Sequence, residues 1–187
     1  MSVLFLIKHS LPDIREDIPP SLWHLSEEGI RRAHLLAPQV AGFGLHSVFS
    51  SQEPKAAETA EILAADLKLP FQSLPNLHEH VRPIRPNFNQ ASFEADVADL
   101  FARPNELVFG SETADQAHER FHVALQAILD EHPTQNLAVV AHGTVISLFV
   151  SRACGIEPFP LWKSLGLPSF LVLDITLNEI YKVINKI

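Results

Sequence analysis

The chain has 187 residues, a length that suits a single domain spanning 1–187, and 47% of them are hydrophobic, which excludes an intrinsically disordered chain. Fourteen lysines and arginines against 22 aspartates and glutamates give a net charge of −8, so neither nucleic acid nor an anionic membrane is an expected partner. The one cysteine, Cys154, excludes an internal disulfide framework and a multi-cysteine zinc site; with no apolar run of membrane-spanning length and no leader at Met1–Ile7, the reading is a cytoplasmic protein.

Val3–Ile7 is an apolar run of strand length, as in a parallel strand buried on both faces. Ser26 is a helix cap, with helix expected to about Val40 and Gly29 a weak spot within it. His46–Ser50 reads as a second strand. Pro54 suits a first helical position, and Ala56–Leu67 continues as helix. Phe71–Leu74 is a third strand, and Pro75, Pro83 and Pro86 mark an irregular segment after it. Phe93–Phe101 is helical, and so is Ser111–Glu131, where Ala114, Ala117, Phe121, Leu125 and Ile128 form one apolar face. Leu137–Ala141 is a strand and Thr144–Cys154 an apolar helix. Phe170–Ile175 and Ile180–Ile184 are expected to pair across a turn at Leu177-Asn178. Phe159-Pro160-Leu161-Trp162 fits core, substrate wall or subunit contact equally. Strands alternating with helices imply an α/β fold: a three-layer α/β/α sandwich on a mostly parallel central sheet.

In such sheets ligands bind beyond the carboxyl ends of the strands. Lys8-His9-Ser10 closes the first strand. Ser50-Ser51 closes the second, with Lys55 in the first turn of the next helix. His142-Gly143-Thr144 closes the later strand and opens its helix. Two lysines and two histidines therefore gather near two helix N-termini, whose free N–H groups and positive dipole ends favour an anion such as phosphate.

These residues, in order, resemble the motifs of the histidine phosphatase (phosphoglycerate mutase-like) superfamily. Lys8-His9-Ser10 stands where that family has Arg-His-Gly after its first strand. Leu25-Ser26-Glu27-Glu28-Gly29 resembles its Leu-Thr-x-x-Gly helix start. Ser50–Ala60 resembles Ser-Ser-Pro-x-x-Arg-Ala-x-x-Thr-Ala, and Leu77-His78-Glu79 the segment of the acidic proton donor. Gly110-Ser111-Glu112 and Arg120-Phe121 resemble two further signals, and Val139–Thr144 the second histidine motif. The resemblance implies a phosphomonoester hydrolase. His9 would be the nucleophile that becomes phosphohistidine, and Glu79 the general acid and base. His142, Lys8 and Lys55 would hold the phosphoryl oxygens, and no metal or cofactor is needed. The substrate would be a small-molecule phosphomonoester or a phosphoprotein. The chain is short beside the family's cofactor-dependent mutases, which favours phosphatase over mutase.

The departures matter as much. Both pocket arginines of the family are lysines here, Lys8 and Lys55, so a planar two-pronged donor becomes a mobile point charge. A degenerate member that binds phosphorylated ligands without turnover is the alternative. Ser10 replaces the glycine after the nucleophile, where its hydroxyl either adds a donor for the phosphate or only costs backbone freedom. Arg15 falls where the family often has Asn, and either restores a guanidinium or is an exposed loop arginine. His80, Arg82 and Arg85 follow Glu79, with the arginines placed to read a second anionic group on the substrate, and Thr144 opens the helix after His142. A competing pattern is His118-Glu119-Arg120-Phe121-His122, the His-Glu-x-x-His spacing of zinc hydrolases on a predicted helix. Leu125 and Ile128 stand where its extended form wants Gly and a third His, so a third zinc ligand is missing.

Overall fold

Val3–Lys8 forms β1, and the geometry explains its unbroken apolar run: Leu4 and Leu6 enter one core while Phe5 and Ile7 enter another. The computed structural model describes residues 2–82, 89–174 and 179–184, the last segment by its backbone. Along the chain follow α1 (Glu27–Ala33), α2 (Leu36–Val40), β2 (Leu45–Ser51), α3 (Pro54–Leu67) and β3 (Phe71–Leu74). Then come α4 (Gln90–Ala102), α5 (Ala114–Glu131), β4 (Asn136–Ala141), α6 (Gly143–Cys154), α7 (Pro158–Ser164), β5 (Ser169–Asp174) and β6 (Glu179–Ile184).

Among the described residues the sheet has six strands in the order β3-β2-β4-β1-β5-β6. The pairs β3–β2, β2–β4 and β4–β1 are parallel; β5 runs antiparallel to β1, and β6 to β5. One face carries a core built with Leu100 of α4, Phe121 and Leu125 of α5, and Val145 of α6; the other carries Leu36 and Val40 of α2 with Ala60 and Leu63 of α3. The three-layer α/β architecture with a mostly parallel sheet is therefore present. No described helix is long and apolar enough to cross a membrane.

The structure departs from the sequence reading in a few elements. The helix expected from Ser26 to Val40 breaks at His34 and Leu35. Pro38 is the cause: its ring cannot coexist with a helical carbonyl four residues earlier, at His34, but it fits the first turn of a new helix. Helix α5 starts at Ala114 rather than Ser111, because Thr113 closes a capping box with Gln116. Residues 158–164, left open by the sequence, form α7, with Pro158 at its first position. Strand β5 begins at Ser169 rather than Phe170 and is described to Asp174. Ile175, the turn at Leu177-Asn178, Pro83 and Pro86 lie outside the described residues.

Candidate active site

The site follows from the central strand pair. Strands β1 and β4 are parallel neighbours, with Lys8 opposite Ala141, and His9 donates its backbone N–H to the Ala141 carbonyl at 3.0 Å. The residues after the two strands therefore leave the sheet side by side. The His9 and His142 rings stand 5.2 Å apart, edge to face. Strand β2, on the other side of β4, delivers Ser51, whose hydroxyl meets His142 Nε2 at 2.9 Å, and then Glu53 and Lys55.

One contact fixes the chemistry of His9. Its Nδ1 lies 2.7 Å from the Ser10 carbonyl oxygen. A carbonyl only accepts, so Nδ1 carries the proton and Nε2 keeps a bare lone pair. Burial, with His142 and Lys55 nearby, holds the His9 pKa well below the ordinary value of 6.5. His142 is fully buried and shifted the same way, by burial and then by Lys55. Among the described residues its Nδ1 has no hydrogen-bond partner.

Four cations line the cavity that holds His9: Lys8, Lys55, Arg82 and, paired with Glu94, Lys163. Lys8 donates to the Leu165 carbonyl at 2.8 Å, and burial lowers its pKa to about 8 against the pull of Glu79. Lys55 donates to the Pro20 carbonyl at 2.7 Å and to the carboxylate of Glu53. Burial lowers its pKa too, opposed by Glu53. The guanidinium of Arg82 lies 4.4 Å from the centre of the Phe93 ring. Glu53 lies within the Ser50–Ala60 motif without a role assigned from the sequence, yet it is a hub. Its Oε1 accepts the backbone N–H of Glu79 at 2.8 Å and stands 3.7 Å from His142 Nε2, while its Oε2 holds Lys55. The one signal in the sequence was its place two residues before Lys55, as the extended cap of α3.

Glu79 enters on the loop after β3. Its Oε2 accepts the Thr144 N–H at the start of α6 (3.1 Å), and its Oε1 the His80 N–H (2.9 Å). Burial alone would raise its pKa, but His142, Arg82 and these two N–H groups outweigh it, and the carboxyl sits below its ordinary range. The loop is pinned from α5: Arg120 Nη1 donates to the carbonyls of Asn76 and His78, both at 2.9 Å, and Nη2 donates to that of Glu79 at 3.3 Å. Glu112 pairs with Arg120 at 2.7 Å and accepts the Val81 N–H at 3.0 Å.

The structure thus gathers Lys8, His9, Lys55, Glu79, Arg82 and His142, but not every expected residue. The Ser10 hydroxyl turns away to the Gly29 carbonyl at 2.7 Å, and its N–H bonds Thr59 Oγ1 at 3.0 Å. Arg15 sits in an exposed loop, paired with Asp17 at 2.8 Å; what it gives the site is its carbonyl, which accepts Trp23 Nε1 at 2.8 Å. His80 donates Nε2–H to the Glu112 carbonyl at 2.8 Å, tying the two loops together. Thr144 acts through its backbone N–H. Arg85 lies outside the described residues. His118 and His122 stack 5.6 Å apart on α5, in a cavity that does not contain His9. Among the described residues no three His, Cys, Asp or Glu side chains converge as metal ligands, there or at His9.

Comparison with known proteins bears on the family and the fold. A family profile described as the histidine phosphatase superfamily, branch 1, matches residues 13–181. That match starts after His9, so the first motif rests on the strand-end geometry. The phosphoglycerate mutase-like protein 4 of Arabidopsis thaliana is 29% identical over 143 residues, covering 69% of this chain and 60% of that protein. The chain thus spans less than two thirds of that relative's length. The mycobacterial glucosyl-3-phosphoglycerate phosphatase superposes over 100% of this chain and 99% of its own, with TM-score 0.77 and 18% identity. The phosphoserine phosphatase of Entamoeba histolytica, solved with 3-phosphoglyceric acid, covers 98% and 97% with TM-score 0.78 and 17% identity.

Proposed function

From a chain that belongs to the histidine phosphatase superfamily, branch 1, we propose a phosphomonoester hydrolase that works through a phosphohistidine on His9. The observation that carries this reading is the His9 Nδ1–H bond to the Ser10 carbonyl, which leaves Nε2 bare in a cavity shared with Lys8, Lys55, Arg82 and Glu79. Nε2 attacks phosphorus and the bond to the alcohol oxygen breaks. The imidazole becomes a phosphorylated imidazolium, whose Nδ1–H bond to the Ser10 carbonyl strengthens as charge develops. Lys8, Lys55 and Arg82 hold the phosphoryl oxygens, where transition-state charge accumulates. His142, packed against the His9 ring, supports the same oxygens.

Glu79 gives the leaving oxygen its proton. Its own surroundings hold it as a carboxylate, so an arriving phosphoryl dianion raises its affinity for that proton, and mildly acidic pH favours the loaded form. In the second half-reaction Glu79 takes a proton from water, water attacks phosphorus, the P–N bond breaks and His9 returns to its neutral form. The substrates are small phosphorylated molecules. No step requires a metal or a cofactor.

A second reading, a ligand binder with little turnover, draws on one observation: Lys55 is already engaged by Glu53 and the Pro20 carbonyl. Hydrolysis of an aryl phosphate from mildly acidic to neutral pH, with chelator present, separates the two. Activity that survives chelator and vanishes in His9→Ala supports the hydrolase. An inactive protein that still binds vanadate supports the binder. Activity lost to chelator and indifferent to His9 contradicts both.

A further inference from the structure

Two cavities meet at His9, Lys55, Glu79 and Arg82. One, of about 220 Å³, is completed by Pro20, Ser21, Glu53, His78, His80 and Val81 and, among the described residues, holds no indole or phenyl ring. The other, of about 260 Å³, opens between Trp23, Phe93 and Trp162, with Ile14 and Leu167 beside them. The aromatic wall is built rather than incidental. Trp162 is carried on α7 and meets Phe93 edge-on with centroids 5.7 Å apart. The Arg82 guanidinium covers the Phe93 ring. Trp23, in the same lining, is held by its Nε1–H bond to the Arg15 carbonyl.

Resting on the reading that the junction receives the phosphoryl group, we propose that the substrate's alcohol is a flat, uncharged body of about one aromatic ring, seated against the indoles of Trp23 and Trp162, with Phe93 backing Trp162. Size is the first argument: 260 Å³ lies below the roughly 300–1,000 Å³ of pockets for drug-sized ligands. Surface is the second. Indole faces reward an apolar ring more than a chain of hydroxyls, and two polar groups of the same lining, Glu94 and Lys163, are engaged with each other. Charge is the third. Lys163 at the rim is paired with Glu94 at 2.7 Å, and Glu53 and Glu79 stand at the phosphoryl end. A carboxylate on the substrate would meet these carboxylates, while Lys8, Lys55 and Arg82 serve the phosphoryl group.

Non-hydrolysable phosphonates test this without depending on turnover. Calorimetric titration compares benzylphosphonate, methylphosphonate and phosphonoacetate on the wild-type protein, Trp162→Ala and Trp23→Ala, with thermal melts to verify folding. Benzylphosphonate is expected to bind about tenfold or more tightly than methylphosphonate, as burial of one ring predicts. Phosphonoacetate should be the weakest of the three. Each tryptophan variant should collapse the benzyl-to-methyl ratio severalfold. Equal affinities, tightest binding of phosphonoacetate, or a ratio untouched in both variants overturns the assignment. If neither methylphosphonate nor inorganic phosphate binds, the phosphoryl-site reading itself falls and takes this one with it. If phosphonates bind as expected but the protein does not turn over, hydrolysis alone is refuted and the chamber stands.

Discussion

A lysine ammonium has three donors and a flexible stem, so a lysine that must act as arginine does needs to be tethered. Lys55 uses two donors on the Pro20 carbonyl and Glu53, and Lys8 uses one on the Leu165 carbonyl. Each keeps at least one donor for an oxyanion. Arg82, rather than Arg15, supplies the guanidinium of this pocket. Two outcomes follow for single residues. Glu53→Gln releases Lys55 and removes a negative charge, so vanadate should bind severalfold more tightly. The same change should lower folding stability by about 3 kcal/mol, because it breaks a buried ion pair; titration and chemical denaturation read the two effects. Lys8 has a pKa of about 8, so as pH rises through that value it loses its charge. The kcat/KM of the wild type should fall there, and Lys8→Arg, which stays charged, should shift that fall upward by more than one pH unit. A profile indifferent to Lys8→Arg contradicts the assigned role.

At the scale of elements, the role proposed for the loop after β3 depends on how firmly α5 holds it. Arg120 binds three of its carbonyls, so Arg120→Met should misplace Glu79 and lower kcat by about a hundredfold, as small errors of position do. Partial recovery in Arg120→Lys would separate positioning from general damage, and unchanged kcat in Arg120→Met would refute it. Gly29 in α1 plays a comparable part for the loop after β1. A Cβ there would lie 2.0 Å from the Leu11 carbonyl oxygen, so Gly29→Ala should lower the urea midpoint clearly. The elements legible in the sequence were those with period and punctuation of their own, such as β1 and α3. Helix α7 was not, because Pro158 and Pro160 resemble loop punctuation unless both are seen to lie in a first turn, where a proline costs no hydrogen bond. The break between α1 and α2 was written in Pro38 and went unread.

At the scale of the whole molecule, a chain of net charge −8 concentrates four cations, Lys8, Lys55, Arg82 and Lys163, around one cavity. The order β3-β2-β4-β1 makes this possible, because it brings the ends of β1, β4 and β2 together from distant stretches of chain. The sequence made His9, His142, Lys8, Lys55 and Glu79 legible as strand-end and motif residues. It could not reveal where a loop side chain turns: the Ser10 hydroxyl faces Gly29, Arg15 faces Asp17, and Glu53 reaches inward to join Lys55, His142 and Glu79. The Ser10–Gly29, Glu53–His142 and Glu53–Glu79 contacts are tertiary and have no local signature, while Arg15–Asp17 and Glu53–Lys55 join residues two apart, a spacing that does not by itself fix which way a loop side chain turns. The central claim is that His9 Nε2 carries the phosphoryl group. Rapid mixing with an aryl phosphate, quenching in alkali and peptide mass spectrometry test it most directly. The account predicts a phosphoryl adduct on the peptide containing His9, stable to base, labile to acid and absent from His9→Ala. Steady turnover with no such adduct at any time, or an adduct that persists in His9→Ala, would contradict it.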